Sequence, residues 1–420
     1  MKTSKNATYT FLLLFLLYMF DYIDRLIIVS LFPFLQKDWG LSDTECGLLV
    51  SAVYWSILLF SFPVSIIVDR WSRKKAVGLM AALWSLATFG CVFTRNFKQL
   101  FTARIAIGIG EAGYAPGGTA LISALFPPEK RARILGIWNA SIPLGSALGI
   151  ALGGIIAEHL GWRHAFGIVA VPGFILALMF FKVQDYKTVA LVHTANQTPG
   201  QKPVKMTLAD MVKTFITKKS LLFNNLAFAS NVFVTTALLS WLPTYFHRMH
   251  DLPMSQAGPK GGLVMFMAII GAPLGGYLCD RWMRRTPRAR MLLPAITSMI
   301  SAVLLYLAFG YLEGASQYVA LLCLGITIIM FVPAGVAVTQ DVVHPGLRAV
   351  SLSINIVIQH TLGSPLGPLF VGMVSDRYEL VTALKILPLF CLLAGLLFWI
   401  GANYYNDDRQ SVDDLDVRME

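Results

Sequence analysis

Residues 65–74 read Ser65-Ile66-Ile67-Val68-Asp69-Arg70-Trp71-Ser72-Arg73-Lys74, and residues 276–285 read Gly276-Tyr277-Leu278-Cys279-Asp280-Arg281-Trp282-Met283-Arg284-Arg285. Each stretch begins as the end of an apolar run and closes as a basic cluster, with Asp-Arg-Trp at the join. The recurrence half a chain apart indicates two copies of one unit. A second pair agrees in spacing: Gly145, Gly149, Gly154 and Glu158 against Gly363, Gly367, Gly372 and Asp376. Parallel repeats of this sort are a known plan for membrane carriers.

Outward from these joins the chain is a succession of apolar runs. A helix needs about 20 mostly apolar residues to span a bilayer. Twelve candidates are present, near 9–31, 43–68, 76–94, 98–126, 134–158 and 163–181 in the first half, and near 221–246, 259–279, 291–310, 317–340, 349–376 and 381–404 in the second. The expected fold is an all-α membrane protein of twelve transmembrane helices in two six-helix pseudo-symmetric halves. The bundles are residues 1–181 and 221–404, joined by a cytoplasmic linker over 182–220 and followed by an acidic cytoplasmic tail over 405–420. Thr207 and Asp210 in the linker suit the start of a short amphipathic helix on the membrane surface.

Composition agrees. Of 420 residues, 56% are hydrophobic and 14% charged, against about 25% charged in soluble domains. The formal charge of +11 does not point to nucleic acid, because the bases lie in short clusters between apolar runs. With the N-terminus inside, 24 Lys and Arg fall on the cytoplasmic side, 8 outside and 2 in the membrane. That bias puts both termini in the cytoplasm. The five cysteines are far apart without ligand spacing, and read as reduced packing residues. Asp21, Asp24 and Arg25 interrupt the first apolar run, which argues against a cleaved signal peptide. No metal, cofactor or nucleotide-binding loop is expected, so an ion gradient supplies the energy.

The repeated motif resembles the loop signature of the major facilitator superfamily, G-x-L-x-D-R-x-G-R-[RK]. Asp69, Arg70, Arg73 and Lys74 match it, Gly276 keeps its first glycine, and Ser65 and Ser72 replace the two glycines in the first half. Pro128-Glu129-Lys130-Arg131 and Gly161-Trp162-Arg163 also match. Within the superfamily the chain is similar to two groups: anion:cation symporters, which include carriers of sugar acids, and Spinster-like transporters, associated with lysophospholipids and sphingosine phosphate. Both carry Asn-Tyr-x-Asp-Arg in helix 1 and Arg-x-x-x-Gly-x-Gly-Glu-Ala in helix 4. This chain has Asp21-Tyr22-Ile23-Asp24-Arg25 and Arg104 through Ala112, with Asp21 in place of the usual Asn.

Ionisable side chains inside a bilayer are costly and mark function. At 1.5 Å per residue, Asp21, Asp24 and Glu111 fall roughly 17–22 Å into their helices, near the middle of the bilayer. Three carboxylates against Arg25 and Arg104 leave one uncompensated negative charge, which a proton would neutralise. Asp24, Glu111 and Asp21 are therefore the expected proton-coupling residues, the first two favoured by the resemblance. Arg25 and Arg104 are expected to pair with them and to bind an anionic substrate through the guanidinium fork. The alternative is a set of static pairs that only order helices 1 and 4.

In the second half, Asn355 and Gln359 share a helical face and are candidates for substrate contact or for interhelical hydrogen bonding. His360 is a candidate titrating group, the alternative and commoner case being a buried histidine that is simply hydrogen-bonded. Tyr245 and Trp241 line the cavity or pack. Asp69, Arg70, Arg73, Glu129, Arg131, Arg133, Asp280 and Arg281 are expected to form cytoplasmic gates. The expected function is proton-coupled symport of a small organic anion, a carboxylate or sugar acid, by alternating access. The alternative is movement of a lysophospholipid or related amphipathic lipid; a non-transporting sensor or a membrane-embedded enzyme is more remote. The expected partners are an anionic or amphipathic small molecule, protons and the lipid bilayer, with no nucleic acid. The chain is expected to work as a monomer in the cell membrane, the cytoplasmic membrane in a bacterium.

Overall fold

The computed structural model describes residues 5–70, 73–183, 217–344 and 347–417. Among them every regular element is helical. In lipid each backbone N–H and C=O must be satisfied within the protein, and a helix does this inside one segment. We number the crossings α1 (Lys5–Leu26), α2 (Asp43–Arg70), α3 (Arg73–Gly90), α4 (Phe97–Glu111 and Tyr114–Leu125), α5 (Pro128–Asn139 and Ser141–Leu160), α6 (Trp162–Phe180), α7 (Lys219–His250), α8 (Met254–Phe266 and Ala268–Met283), α9 (Ala289–Gly310), α10 (Gly314–Thr327 and Val332–Asp341), α11 (Arg348–Ile358 and Leu366–Arg377) and α12 (Leu380–Val417). Twelve crossings leave both chain ends on one face, the near face; the opposite is the far face.

Nine stretches among the described residues are long and apolar enough to cross a membrane. The crossings outside that set are α1, α4 and α11. α1 carries Asp21, Asp24 and Arg25, α4 is interrupted after Glu111, and α11 is interrupted by a π-helical turn at Gln359–Gly363. Four of the five interruptions among the described residues, all but that in α8, lie four residues before a proline. A proline has no N–H and its ring clashes with the carbonyl four residues back. Pro116 stands four residues past Ala112, Pro143 past Asn139, Pro333 past Ile329 and Pro365 past Thr361, and each earlier residue lies at or beside a break.

The glycine repeat carries the packing of both halves. Gly149 of α5 lies on α1, where an added Cβ would stand 2.7 Å from the Ile23 carbonyl oxygen. Its counterpart Gly367 lies against the Phe233 carbonyl of α7, and Gly363, preceding it, against Ala229, at 2.8 Å from that oxygen. Gly154 and Gly372 do something different. They abut the carbonyls of Met254 and Asp43, the first residues of α8 and α2 in the opposite half. Small residues let backbones approach this closely.

The linker helix expected around Thr207 and Asp210 lies outside the described residues. The acidic tail is not a break in structure: α12 runs on through Val417. Asp408 on this extension accepts hydrogen bonds from the Ser220 backbone N (2.8 Å) and Oγ (2.6 Å). It thus satisfies a donor in the first turn of α7 that the helix itself leaves unpaired.

Candidate functional site

Arg25, near the end of α1, is the hub of the buried charges, with its side chain 8% exposed. Its Nη2 is 3.0 Å from Asp21 Oδ2, one turn earlier, and 2.8 Å from Glu111 Oε2. Its Nε donates to that same Glu111 oxygen at 3.0 Å. The two carboxyl groups therefore meet at one guanidinium. Asp21 Oδ1 and Glu111 Oε1 are buried with no hydrogen-bond partner among the described residues. The Tyr22 and Tyr54 rings flank the cation, with centroids 4.5 and 5.7 Å from Cζ. The break after Glu111 puts its side chain where α4 stops being regular.

Arg104 behaves differently from the expectation. It is fully buried and donates to three backbone carbonyls: Leu49 (3.1 Å), Asp24 (3.2 Å) and Arg25 (2.8 Å). These acceptors lie on α1 and α2, so the side chain pins α4 to both. No carboxylate pairs with it among the described residues, so the expected ion pair is replaced by bonds to backbone carbonyls. Asp24 is fully buried, and neither of its carboxyl oxygens has a partner among the described residues. The buried Thr88 hydroxyl lies beside it.

In the second half the polar residues form one chain. Gln359 Nε2 donates to Asn355 Oδ1, Asn355 Nδ2 to Asn225 Oδ1 (2.8 Å), and Asn224 Nδ2 to the Gly335 carbonyl (3.1 Å). Asn355 is fully buried in this network and ties α11 to α7. Gln359 is half-buried and keeps its carbonyl oxygen free of the network. Tyr245 lies elsewhere: its hydroxyl accepts from Gln317 Nε2 (2.7 Å) and its ring packs on Phe309 and His250. It belongs to a separate cavity of about 510 Å³ within the second half, not to the surroundings of Arg25. Trp241 packs its ring on Phe32 and donates to the Pro368 carbonyl.

The expected near-face gates are only partly described. The side chains of Asp69, Arg70, Arg73 and Glu129 lie outside the described set. Arg131 Nε donates to the Phe126 carbonyl at 2.9 Å, and Arg133 and Arg281 are exposed. Asp280 pairs with Arg290 (3.5 Å), which also reaches Asp341 (3.3 Å), all within the second half.

The described polar contacts between the halves lie toward the far face, and sequence reasoning had not assigned them. Asp43 accepts from Arg248 Nη1 (2.8 Å) and Nη2 (2.6 Å), from Gln36 Nε2 (2.6 Å) and from the Ser375 hydroxyl. Asp376 accepts from the backbone N–H of Asp43 (2.7 Å) and Thr44 (2.9 Å). Ser42 and Glu45 exchange the remaining first-turn donors as a capping box. On the pseudo-symmetric side, Glu158 accepts from the Met254 N–H at 3.0 Å. The legible signals were the Glu158/Asp376 repeat and the Ser-x-x-Glu pattern at 42–45.

The profile of the Major Facilitator Superfamily matches residues 14–368. The chain is 26% identical over 384 residues to a hexuronate transporter of Bacillus subtilis, covering 89% of each. It is 28% identical over 429 residues to the sphingosine-1-phosphate transporter SPNS2 of Mus musculus, covering 94% of this chain and 76% of that one. Among solved structures, a bacterial homologue of the human lysosomal transporter Spinster, in an inward-facing and unoccupied conformation, superposes with a TM-score of 0.81 at 22% identity, over 98% of this chain and 99% of the other. A D-xylose–proton symporter superposes at 0.72 and 16% identity, over 93% and 97%.

Proposed function

The chain belongs to the Major Facilitator Superfamily, and from that premise we propose that it couples the movement of a small organic anion, a carboxylate or sugar acid, to protons. The observation that carries this reading is Arg25 held between Asp21 and Glu111 in the buried interior of the first half. A cation with two carboxylates has one negative charge too many, and in a low dielectric a proton on one carboxyl removes it. Protonation releases a guanidinium donor, and an anionic substrate takes the vacated place with two parallel hydrogen bonds. Substrate and carboxylate thus compete for one guanidinium, and a proton on the carboxylate favours the substrate. Loss of both together restores the internal ion pair. Asp24 is a second proton acceptor close by.

With both termini in the cytoplasm of the cell membrane, the far face is outside, and the contacts at Asp43 and Glu158 support a state closed on that side. Similarity to the hexuronate transporter supports a sugar acid. Similarity to SPNS2 supports a second reading, in which the same cation meets the head group of a lysophospholipid or related amphipathic lipid. Proteoliposomes separate them. An inward proton gradient is expected to accumulate D-galacturonate, and Glu111→Gln to abolish accumulation while leaving exchange of internal for external substrate intact. Lipid-dependent activity with no acid uptake would overturn the organic-anion reading.

A further inference from the structure

His360 sits in the π-helical turn Gln359–Gly363 of α11. Such a turn inserts a residue into the helix and is frequent at functional sites. Here Pro365 forces it, and Gly363 anchors it, with an added Cβ falling 2.8 Å from the Ala229 carbonyl of α7. The His360 ring stacks on Tyr54 of α2 at 5.9 Å and 26°, and the same Tyr54 ring lies 5.7 Å from the Arg25 guanidinium. The polar chain of the second half ends at the adjacent Gln359. The polar networks of the two halves thus meet at the Tyr54–His360 contact. Yet His360 Nδ1 is buried with no hydrogen-bond partner among the described residues.

We propose that His360 is the second half's contact to the anionic group of the substrate, so that a carboxylate or phosphate is held between Arg25 of one half and His360 of the other. This rests on the reading of the site as an anion carrier. An imidazole N–H donates to an anionic oxygen in either its neutral or its charged form, and a buried ring nitrogen left unpaired is unfavourable. A ligand touching one residue of each half favours the conformation that brings the halves together, which ties occupancy to the transport cycle.

The test is binding to the purified full-length protein, with D-galacturonate and 1-oleoyl lysophosphatidic acid as the two probes. His360→Ala is expected to weaken the probe that the wild type binds by about tenfold or more. His360→Asn places an amide nitrogen near the position of Nδ1 and is expected to recover most of that loss. A purely structural histidine would show no such rescue. Affinity of His360→Ala within twofold of wild type, with Arg25→Ala abolishing binding, overturns the role of His360 and leaves the site standing. A wild type that binds neither probe at millimolar concentration overturns both. The probe that binds identifies whether the anion is a sugar acid or a lipid head group.

Discussion

Replacing Asp43 by Asn tests whether the far-face contacts hold the protein closed on that side. Asp43 is 5% exposed and accepts four hydrogen bonds, two of them from Arg248 and one from Ser375 across the interface between α2 and α11. Asn keeps the shape, removes the charge, and turns one acceptor into a donor that faces other donors. Hydrogen bonds to charged groups contribute about 1.5–3 kcal/mol. The Arg248 side chain is 29% exposed, so solvent screening lowers the figure to about 2 kcal/mol for the pair. If the far-open state separates these residues, its population rises about 30-fold. The chain carries its own reporter: Cys46, one turn further into α2, is fully buried. In a Cys323→Ser background, which removes the exposed thiol, a membrane-impermeant maleimide added from the far face is expected to label Cys46 about 30-fold faster in Asp43→Asn. Arg248→Gln should give a similar rise, and the double variant little more than either, because both remove one interaction. A labelling rate within twofold of wild type in a variant that still melts cooperatively would refute the assignment of these contacts as a lock.

Arg104→Lys is expected to lower the thermal midpoint of the purified protein while leaving probe affinity of the folded fraction nearly unchanged, because one ammonium cannot serve three carbonyls fixed by a guanidinium fork; equal melting would contradict the structural role given to it. Asp21→Asn removes one of the buried carboxyls and is expected to leave transport active but to reduce the protons moved per substrate, read from the slope of accumulation against the imposed pH difference. Gly154→Leu puts a side chain into the Met254 carbonyl and should open the far face in the same direction as Asp43→Asn, again read by Cys46 labelling.

Most of the fold was legible because lipid imposes few rules and enforces them strictly: helix length and repeat spacing each left a direct mark. The crossings that departed from simple hydropathy, α1, α4 and α11, were still found from their apolar flanks. At the site, depth in the helices put Asp21, Asp24 and Glu111 near one level and the family resemblance favoured Asp24 and Glu111, while the contact of Arg25 with both Asp21 and Glu111 came only from the structure. What sequence reasoning could not resolve was how each polar group would be satisfied. Arg104 could equally meet carboxylates or carbonyls, and only the approach of α4 to the exposed peptide groups of α1 and α2 decides for carbonyls. Asn355 gave no sign that Asn225 would come opposite it. Tyr245 shares a helix with residues near the axis but faces the other way. The Asp43–Arg248 contact joins residues of different halves, and no local pattern announces such a pair.

The acidic residues Glu158 and Asp376 carry a consequence for ancestry. Each closes a six-helix unit's fifth helix and neutralises the opening turn of the other unit's second helix. Before the two units were fused, this would have been one isologous contact in a homodimer, made twice by the two-fold axis. A mutation there would have altered both copies at once, so the closed and open forms could only be tuned symmetrically. Fusion released that constraint. The present chain has a shorter acid on one side, two backbone donors where the other has one described, and an arginine–aspartate pair added beside it. The two sides of the former dyad can now unfasten at different free energies, which gives a duplicated machine an order of steps that its symmetric parent lacked.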